Sequence, residues 1–283
     1  MNFENLVPVV YGAGFGAIVG DTAGSTLEFR PVPANFDLFG AYARPTDDSV
    51  MTLAVAEGLI DSWGQSLEAV YGAIRDAMQT YAIFFPHAGY GGKFRQWIRY
   101  PEPYNSFGNG SAMRASAAGW LFNTLDDVMK YAALTALPSH NHPEGVKGAQ
   151  ATAAAIFLTR CSVSKEDLAA WITQEFGYDL NLTVEGIRHS NRHDISCQHT
   201  VPESIFAFLQ GNSFEEVIRI AISLTGDTDT LAAIAGSIAE ACYPVPEAMQ
   251  QETLSRMHPF LLDSYRNYAN FVAANVAPKG YRQ

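Results

Sequence analysis

The sequence predicts an all-α fold in a single compact domain. Apolar residues recur at helical spacing along most of the chain, whereas stretches with the alternating pattern of a strand are few. Prolines divide the chain into segments of helix length, and none of these breaks resembles a linker between domains. Alanine and glycine also recur at helical spacing, which favours helices that approach one another closely. We therefore expect residues 1–283 to form one helical domain.

The first helical segment covers residues 12–20, where small residues permit close packing against a neighbouring helix. These residues also fit the GxGxxA pattern of a dinucleotide-binding loop. That kind of domain needs alternating strands and helices, which the rest of the chain does not supply, so we prefer the packed helix. Residues 6–11, directly before it, are the best candidate for a short strand.

Four apolar stripes predict further helices. The first covers residues 50–60 and follows the helix-start signal Thr46-Asp47-Asp48-Ser49. The second covers residues 146–157. The third covers residues 217–224, and the fourth covers residues 231–238.

The charge balance excludes several classes of protein. The chain has 18 Lys and Arg against 29 Asp and Glu, a formal net charge of −11, and only 17% of its residues are charged while 48% are hydrophobic. This composition excludes a disordered or fibrous protein. It also argues against a nucleic-acid scaffold, because neutralising phosphates requires clustered Lys and Arg.

The cysteines and the N-terminal residues indicate a compartment. Cys161, Cys197 and Cys242 are widely spaced and form no CxxC pair, so we expect reduced thiols in a cytoplasmic protein. The apolar stretch over residues 6–20 has no Lys or Arg before it and ends at Asp21, so it predicts neither a signal peptide nor a membrane span. We expect a soluble monomer with no membrane partner.

Two short acidic clusters precede apolar helices in a chain that uses few charges. The first is Thr46-Asp47-Asp48, and the second is Gly226-Asp227-Thr228-Asp229-Thr230. Either cluster alone is typical of helix capping, because Asp and Thr satisfy free N–H groups and carboxylates favour the helix dipole. One cap needs only one acid, however, and here each cluster has two acids with threonine oxygens beside them.

Divalent cations explain why the acids come in pairs. Mg²⁺ and Mn²⁺ prefer six oxygen ligands from carboxylates, hydroxyls and water. Two such ions about 4 Å apart need several acids to offset their charge. The two clusters could form such a site only in a fold that brings both helix starts together, which the periodicity alone does not reveal.

Five short motifs occur in order along most of the chain. They are Gly20-Asp21…Glu28, Thr46-Asp47-Asp48-Ser49, Ser106-Phe107-Gly108-Asn109-Gly110 continuing to Arg114, Ser139-His140…Pro143-Glu144-Gly145, and Gly226-Asp227-Thr228-Asp229-Thr230. In this order they resemble the ADP-ribosylglycohydrolase family. The resemblance implies a compact orthogonal all-α domain with a two-metal centre, usually of magnesium and in some members of manganese.

The resemblance also implies roles for single residues. The metal ligands would be Thr46, Asp47, Asp48, Asp227, Asp229 and Thr230. Glu28 and Asp48 would be catalytic, and Asp21 would be a structural acid that orders the Gly20–Glu28 loop. Read without the resemblance, Glu28 is a solvated loop acid paired with Arg30. Thr225 stands where many family members have a second glycine.

The substrate would lie against the third and fourth motifs. The resemblance assigns substrate binding to Ser106, Phe107, Gly108, Asn109, Gly110 and His140. The two glycines would let the backbone approach a diphosphate, and Phe107 could stack on adenine. Arg114 would serve as a phosphate partner or pair with a core carboxylate.

A zinc site is the alternative for the histidines in the second half of the chain. His189, His193, Cys197 and His199 lie close together in sequence. Their spacing fits no common zinc finger, so we prefer a polar loop that leads into a helix at Pro202.

The resemblance implies a hydrolase that cleaves the bond between C1″ of ADP-ribose and a modified arginine or serine of a protein. Its partners would be an ADP-ribosylated protein or a small ADP-ribose conjugate. Alternatives that use the same site are hydrolysis of O-acetyl-ADP-ribose or of ADP-ribosylated nucleic acid, and ADP-ribose binding without catalysis. A metal-dependent phosphoesterase is a further alternative.

Overall fold

The computed structural model describes Phe3, residues 6–189 and residues 194–278. Over these residues the chain is helical and contains no strand, which confirms the all-α prediction. The helices are α1 (Phe15–Gly24), α2 (Asp47–Asp61), α3 (Leu67–Phe84), α4 (Gly92–Arg99), α5 (Gly110–Met113), α6 (Ser116–Leu121), α7 (Leu125–Ala136), α8 (Pro143–Arg160), α9 (Lys165–Phe176), α10 (Val184–His189), α11 (Cys197–Gln210), α12 (Phe214–Ser223), α13 (Thr228–Ala239), α14 (Glu247–Arg256) and α15 (Pro259–Phe271), followed by a π-helical turn (Val272–Val276).

The strand predicted over residues 6–11 does not form. This segment lies against the end of α8, where the N–H groups of Val9 and Val10 both donate to the carbonyl of Arg160 at 2.9 and 3.3 Å. A strand needs a second strand to complete its hydrogen bonds, and no strand is present among the described residues. The apolar residues therefore follow the surface of the helical core as irregular backbone.

Pro202 does not mark the start of a helix, although the sequence suggested that it does. Helix α11 begins at Cys197, so Pro202 lies inside the helix and does not start it. Proline removes one backbone hydrogen bond from a helix interior, and its ring crowds the preceding turn. The burial of Pro202 and its neighbours in the core stabilises the helix despite that cost.

Helices α1 and α13 pack with their backbones almost in contact. A Cβ atom added at Gly16, Gly20 or Gly24 of α1 would lie 2.3, 2.0 and 2.4 Å from the carbonyl oxygens of Gly236, Ala232 and Thr228, respectively. The order of these partners makes the two helices antiparallel. The prediction that residues 12–20 form a closely packed helix is therefore correct, although α1 begins at Phe15 and continues to Gly24.

Helix α13 is central to the fold. All twelve of its residues are buried, and it contacts α1, α11 and α12 most extensively and α8, α2 and α5 to a lesser degree. Its first turn carries the second acidic cluster, so that cluster lies in the interior of the protein. Among the described residues, no helix is both long enough and apolar enough to cross a membrane.

Candidate functional site

The C-terminal half of α1 holds the starts of α2 and α13 together. The carboxylate of Asp21 accepts hydrogen bonds from the backbone N–H and hydroxyl of Thr46, at 2.8 and 2.6 Å, and from the N–H and hydroxyl of Ser49. At the end of α1, the carbonyl of Gly24 accepts a hydrogen bond from the Thr228 hydroxyl at 2.9 Å. Asp21 is therefore a structural acid, but it orders the first turn of α2 instead of the loop that follows it.

The two acidic clusters meet because α1 fixes both helix starts. The Thr230 hydroxyl on α13 donates to Asp48 Oδ2 on α2 at 3.3 Å. Carboxylate oxygens of Asp21, Asp48 and Asp229 lie within 4.8 Å of one another, and those of Glu28, Asp227 and Asp229 form a second group within the same distance. Asp229 belongs to both groups, so it is the residue best placed to bridge two ions.

Helix capping accounts for few of the contacts of these acids, although Asp229 Oδ1 accepts the N–H of Thr230 at 3.0 Å in the first turn of α13. The Thr46 hydroxyl, and not an acid of its own cluster, accepts the N–H of Asp48 at the start of α2. Asp227 occupies the N-cap position of α13, but its side chain makes no capping hydrogen bond. Asp48 Oδ1 is buried without any hydrogen-bond partner. A buried carboxylate oxygen without a partner is costly, and an oxygen-binding cation would satisfy it.

The electrostatics of the cluster also favour a cation. Burial, followed by the neighbouring carboxylates, raises the pKa values of Asp48 and Asp229 well above their ordinary range. Burial and the carboxylate of Asp21 raise the pKa of Asp47 to about 7. These shifts describe carboxylates that repel one another in a poorly solvated space. A positive ion among them would remove that repulsion.

The remaining predicted ligands lie at the edge of the same cluster. Thr46 is buried and donates its hydroxyl hydrogen to Asp21, so its oxygen keeps a lone pair free. Asp47 is half-buried beside Gly89, where an added Cβ would lie 2.5 Å from Asp47 Oδ1. Gly89 has φ +133°, so both its backbone conformation and its missing side chain make room for the carboxylate.

Glu28 is exposed and lies beside the second cluster. The adjacent N–H of Phe29 donates to the carbonyl of Gly226 at 2.7 Å, which holds the two loops together. Burial of the carboxyl and the acids Asp227 and Asp21 raise the pKa of Glu28, while the guanidinium groups of Arg30 and Arg44 oppose the rise. Glu28 is thus a solvated acid that senses the charge of Arg30, but no ion pair joins the two among the described residues, and its catalytic role stays a prediction.

Thr225 adopts a conformation that favours glycine. Its φ is +71°, and Gly226 follows with φ +82°, so two consecutive residues are left-handed before α13 begins. A β-branched residue at positive φ is strained by about 1–3 kcal/mol. Thr225 therefore holds a left-handed conformation, which glycine would adopt without this cost in stability.

The loop over residues 106–110 is tied to α11 and α13. Asn109 Nδ2 donates to Asp227 Oδ2 at 2.7 Å and to Thr200 Oγ1 at 3.1 Å, and the Asn109 N–H donates to the Ile195 carbonyl at 2.7 Å. Asn109 thus connects the predicted ligand loop to a predicted metal ligand. Phe107 is half exposed and makes an edge contact with His142 at 5.3 Å, and it is not part of the cavity wall described below.

His140 faces the ligand loop as a neutral imidazole. Its Nδ1 is 2.7 Å from Ser139 Oγ, and that oxygen accepts a hydrogen bond from Arg114 Nη2 at 2.9 Å. When Ser139 donates its hydroxyl hydrogen to Nδ1, the proton of the imidazole ring lies on Nε2. This Nε2 atom faces Gly110: a Cβ atom added at Gly110 would lie 3.0 Å from it. Burial and the charge of Arg114 lower the pKa of His140 well below its ordinary value. His140 is thus arranged as a hydrogen-bond donor toward a ligand oxygen.

Arg114 is part of the cavity wall, so its role as a phosphate partner stays a prediction, whereas the pairing with a core carboxylate is not found among the described residues. It is fully buried and donates to the carbonyls of Thr135, Gly110 and Ala136 and to Ser139, and among the described residues it pairs with no carboxylate. Burial lowers its pKa to about 10, so it remains charged at neutral pH. This uncompensated cation beneath the 106–110 loop attracts anions without needing to touch them.

A cavity of about 490 Å³ joins the acidic cluster to the ligand loop. Five of the predicted substrate residues line it: Ser106, Gly108, Asn109, Gly110 and His140. It is also lined by residues that the sequence analysis missed: Gly89, Tyr90, Gly91, Gly92, Lys93, Phe94, Arg95, Tyr104, Met113 and Ile195. The run Gly89-Tyr-Gly-Gly92 before two basic residues was a visible signal, because glycines followed by positive charge suit an anionic ligand.

The residues of the zinc alternative are not gathered into a site by the described part of the chain. The Cys197 thiol is buried and contacts the Gly108 carbonyl at 3.2 Å and Ser111 Oγ at 3.3 Å. His199 is 3.4 Å from Asp194 on the surface. His193 lies outside the described residues.

The sequence of this chain is similar to those of known proteins. A model of the ADP-ribosylglycohydrolase family matches residues 6–275. The chain is 29% identical to human ADP-ribosylhydrolase ARH3 over 194 residues, which cover 52% of this chain and 53% of ARH3. It is 25% identical to the ADP-ribosylarginine hydrolase Tri1 of Pseudomonas putida over 260 residues, which cover 83% of this chain and 70% of Tri1.

The alignment with human ARH3 spans about half the length of that relative. A solved structure, described as an ADP-ribosylglycohydrolase-related protein complex, superposes with a TM-score of 0.71 over 92% of this chain and 95% of that chain at 23% identity, so it has the same fold. Because the family match covers nearly the whole sequence and the fold agrees with it, the chain belongs to the ADP-ribosylglycohydrolase family.

Proposed function

We propose that the protein hydrolyses the glycosidic bond between C1″ of ADP-ribose and a modified group, and so reverses ADP-ribosylation. The observation that carries this proposal is the meeting of two acidic clusters around the unpartnered Asp48 Oδ1, at one end of the 490 Å³ cavity. A metal site at the end of a deep cavity with anion-attracting walls is suited to a sugar diphosphate. The names of the relatives agree with this class of substrate.

Two divalent cations fit the donor set. Thr46, Asp47, Asp48, Asp227, Asp229 and Thr230 would hold them, with Asp229 shared. All six offer hard oxygen donors, which Mg²⁺ prefers, and Mn²⁺ also accepts such ligands. The bound ions would supply Lewis acidity and a template for the ribose hydroxyls.

The chain's own residues bind and orient the ligand. In this proposal His140 Nε2–H donates to a phosphate oxygen, and the glycine backbone of the 106–110 loop lies along the diphosphate. Asn109 holds Asp227 in place, and Tyr90, Phe94 and Tyr104 enclose the apolar part of the ligand and exclude water.

Glu28 and Asp48 have different environments, as the two carboxyls of a glycosidase need. Glu28 is exposed and lines the cavity, where it can accept a proton from an attacking water or return one to the departing oxygen or nitrogen. Asp48 is buried and accepts a hydrogen bond from the Thr230 hydroxyl, so it would act as a fixed carboxylate that holds a cation beside the reacting ribose.

The test of this function is the release of free ADP-ribose. Purified protein with Mg²⁺ or Mn²⁺ would be incubated with serine-linked and arginine-linked ADP-ribosyl peptides, O-acetyl-ADP-ribose and ADP-ribosylated DNA. We expect ADP-ribose from at least one of them. Products that contain AMP or phosphate would identify a phosphoesterase, and calorimetric binding of ADP-ribose without turnover would identify a binding module. Either result would contradict the proposal.

Cation binding is expected to stabilise the protein, and to do so more strongly as the pH rises. The pKa of Asp47 is about 7 in the folded protein against an ordinary value of 3.8, so the folded state holds this proton more tightly than the unfolded chain. Without metal, the contribution of Asp47 to the stability of the folded protein is therefore greatest below about pH 4. This contribution is lost as the pH rises through 7. Cations replace the proton, so their effect grows over the same range.

Thermal unfolding at pH 5, 7 and 8.5, with EDTA or with Mg²⁺, measures this effect. A cation at 100 times its Kd adds about 2.7 kcal/mol per site, which corresponds to a rise in Tm of about 5–10 °C. The Mg²⁺ effect should be small at pH 5 and largest at pH 8.5. An equal Tm shift at all three pH values would show that the cation binds elsewhere.

We also propose that the chain acts as one domain and as a monomer in the cytoplasm. The three cysteines are all free thiols, which agrees with a reducing compartment. Size-exclusion chromatography with light scattering and cell fractionation would test both points.

A further inference from the structure

A second cavity of about 480 Å³ lies on the other side of the acidic cluster. Glu28, Asp47, Gly89 and Asp229 line both cavities, so these residues form the wall between them. If the ADP-ribose fills the first cavity, as the proposed function requires, its C1″ lies at this wall. The second cavity would then adjoin the group bonded to C1″.

The two cavities differ in chemical character. The first contains four aromatic side chains and suits an adenosine diphosphate. The second is lined mainly by small or polar residues, including Ser25, Thr26 and Thr46, together with Arg30 and Arg44. Apart from the acids of the shared wall, the second cavity has no acidic residue among the described ones.

The backbones of both arginines are fixed, and the charges of their guanidinium groups act through space on Glu28, where burial raises the pKa and these charges oppose the rise. The N–H of Arg30 donates to the Leu27 carbonyl at 3.0 Å, and the N–H of Arg44 donates to Ser25 Oγ at 3.2 Å. The turn before Arg44 is held by Arg256, which donates to the carbonyls of Phe39, Gly40 and Ala43. Among the described residues, neither the Arg30 nor the Arg44 guanidinium forms an ion pair or a side-chain hydrogen bond. Two guanidinium groups in the lining of the second cavity can thus form hydrogen bonds with a ligand.

This charge discriminates between possible modified groups. Once cations bind Asp47 and Asp229, the two arginines outnumber Glu28, the one acid of this lining that is not a proposed ligand, so the cavity lining is positive. A modified arginine keeps a positive guanidinium and is repelled, whereas a serine linkage is neutral. Carboxylates on neighbouring residues of the substrate would pair with the two arginines.

We propose that the second cavity binds the modified part of the substrate, and that it selects a hydroxyl-linked residue flanked by Asp or Glu over an arginine-linked residue. This inference rests on the proposed function, because it assumes that C1″ lies at the shared wall. It assigns Arg30 and Arg44 to substrate selection.

Matched peptides test the selection. Three peptides of equal length would carry one ADP-ribosyl group each: on serine with two flanking Glu, on serine with two flanking Gln, and on arginine with two flanking Gln. We expect kcat/KM to be about 5–10-fold higher for the acidic serine peptide than for the neutral one, since each exposed charge pair contributes modestly. The advantage should disappear at 1 M salt, because surface charges are then screened. The arginine-linked peptide should be the slowest of the three.

Substitution of both arginines isolates their effect. In Arg30→Gln/Arg44→Gln, the acidic and neutral serine peptides should be cleaved within about twofold of each other. Arg30→Glu/Arg44→Glu should reverse the preference. The control Arg75→Gln/Arg266→Gln changes the net charge equally at helix positions that line neither cavity, and it should keep the wild-type preference.

Three outcomes would overturn the inference. If wild type cleaves the neutral peptide or the arginine-linked peptide faster than the acidic one, the selection is wrong while the proposed function stands. If the double glutamine variant keeps the full preference, the arginines do not cause it. If wild type releases ADP-ribose from no substrate, the inference fails together with the proposed function.

Discussion

Replacing Asp48 and Asp229 together by asparagine is expected to lower the rate of ADP-ribose release by about 10³-fold or more, because groups that stabilise transition-state charge contribute at least about 10²–10³. Both carboxylates lie in the same group of oxygens within 4.8 Å, and Asp229 belongs to both groups. Asparagine keeps their size but removes the negative charge that would hold the cations. Cation affinity measured by calorimetry should fall in parallel with the rate.

The same variant is expected to be more stable than wild type when both are free of metal at pH 8. Burial and mutual repulsion raise the pKa values of both acids, so the folded state resists their ionisation. Thermal unfolding in EDTA measures this gain. The control is Asp61→Asn, at the exposed far end of the same helix α2. A double variant that retained full activity, or that lost activity by unfolding, would contradict this account of the site.

Gly20→Ala is expected to destabilise the protein by about 1–3 kcal/mol or more, because overpacking of a tight contact forces the backbone to move. The new Cβ would lie 2.0 Å from the carbonyl oxygen and 2.4 Å from the carbonyl carbon of Ala232. Both atoms belong to backbone, so neither can turn aside. The measured quantities are the free energy of unfolding in urea and the affinity for Mg²⁺, since a shift of α13 also moves Asp229.

Gly72→Ala is the matched control for this prediction. Gly72 lies inside α3, and a Cβ added there would meet no atom within 4 Å. Alanine favours an exposed helix interior over glycine, so this variant should be more stable by about 0.5–1 kcal/mol. If the two variants changed stability equally, close packing of α1 on α13 would not be the reason for glycine at position 20.

Local patterns in the sequence predicted much of the secondary structure and the candidate residues. The helix-start signal before Asp47 marks the beginning of α2, and the small residues around Gly16 and Gly20 mark a closely packed helix. These predictions succeeded because capping and periodicity depend on neighbours within one or two turns. The same local rules gave a wrong strand at residues 6–11, because a strand also depends on a distant partner.

Long-range contacts explain what the sequence did not predict. Phe107 could have faced the ligand, but it packs against His142 beside the cavity wall. Arg114 could have paired with a carboxylate, but its partners are backbone carbonyls from the end of α7 and from Gly110, together with Ser139. Side-chain direction at these positions depends on which helices pack together, and no spacing within one segment reports it.

The sequence by itself determined an all-helical chain of the ADP-ribosylglycohydrolase type with two acidic clusters, because periodicity, capping residues and short motifs are properties of adjacent residues. Only the tertiary structure brought Asp48 and Asp229 together, through Asp21 and Gly24 on α1. It also placed Arg30 and Arg44 around a second cavity. Charges that are distant in sequence act on one another only through space, so their shared function depends on how the helices pack.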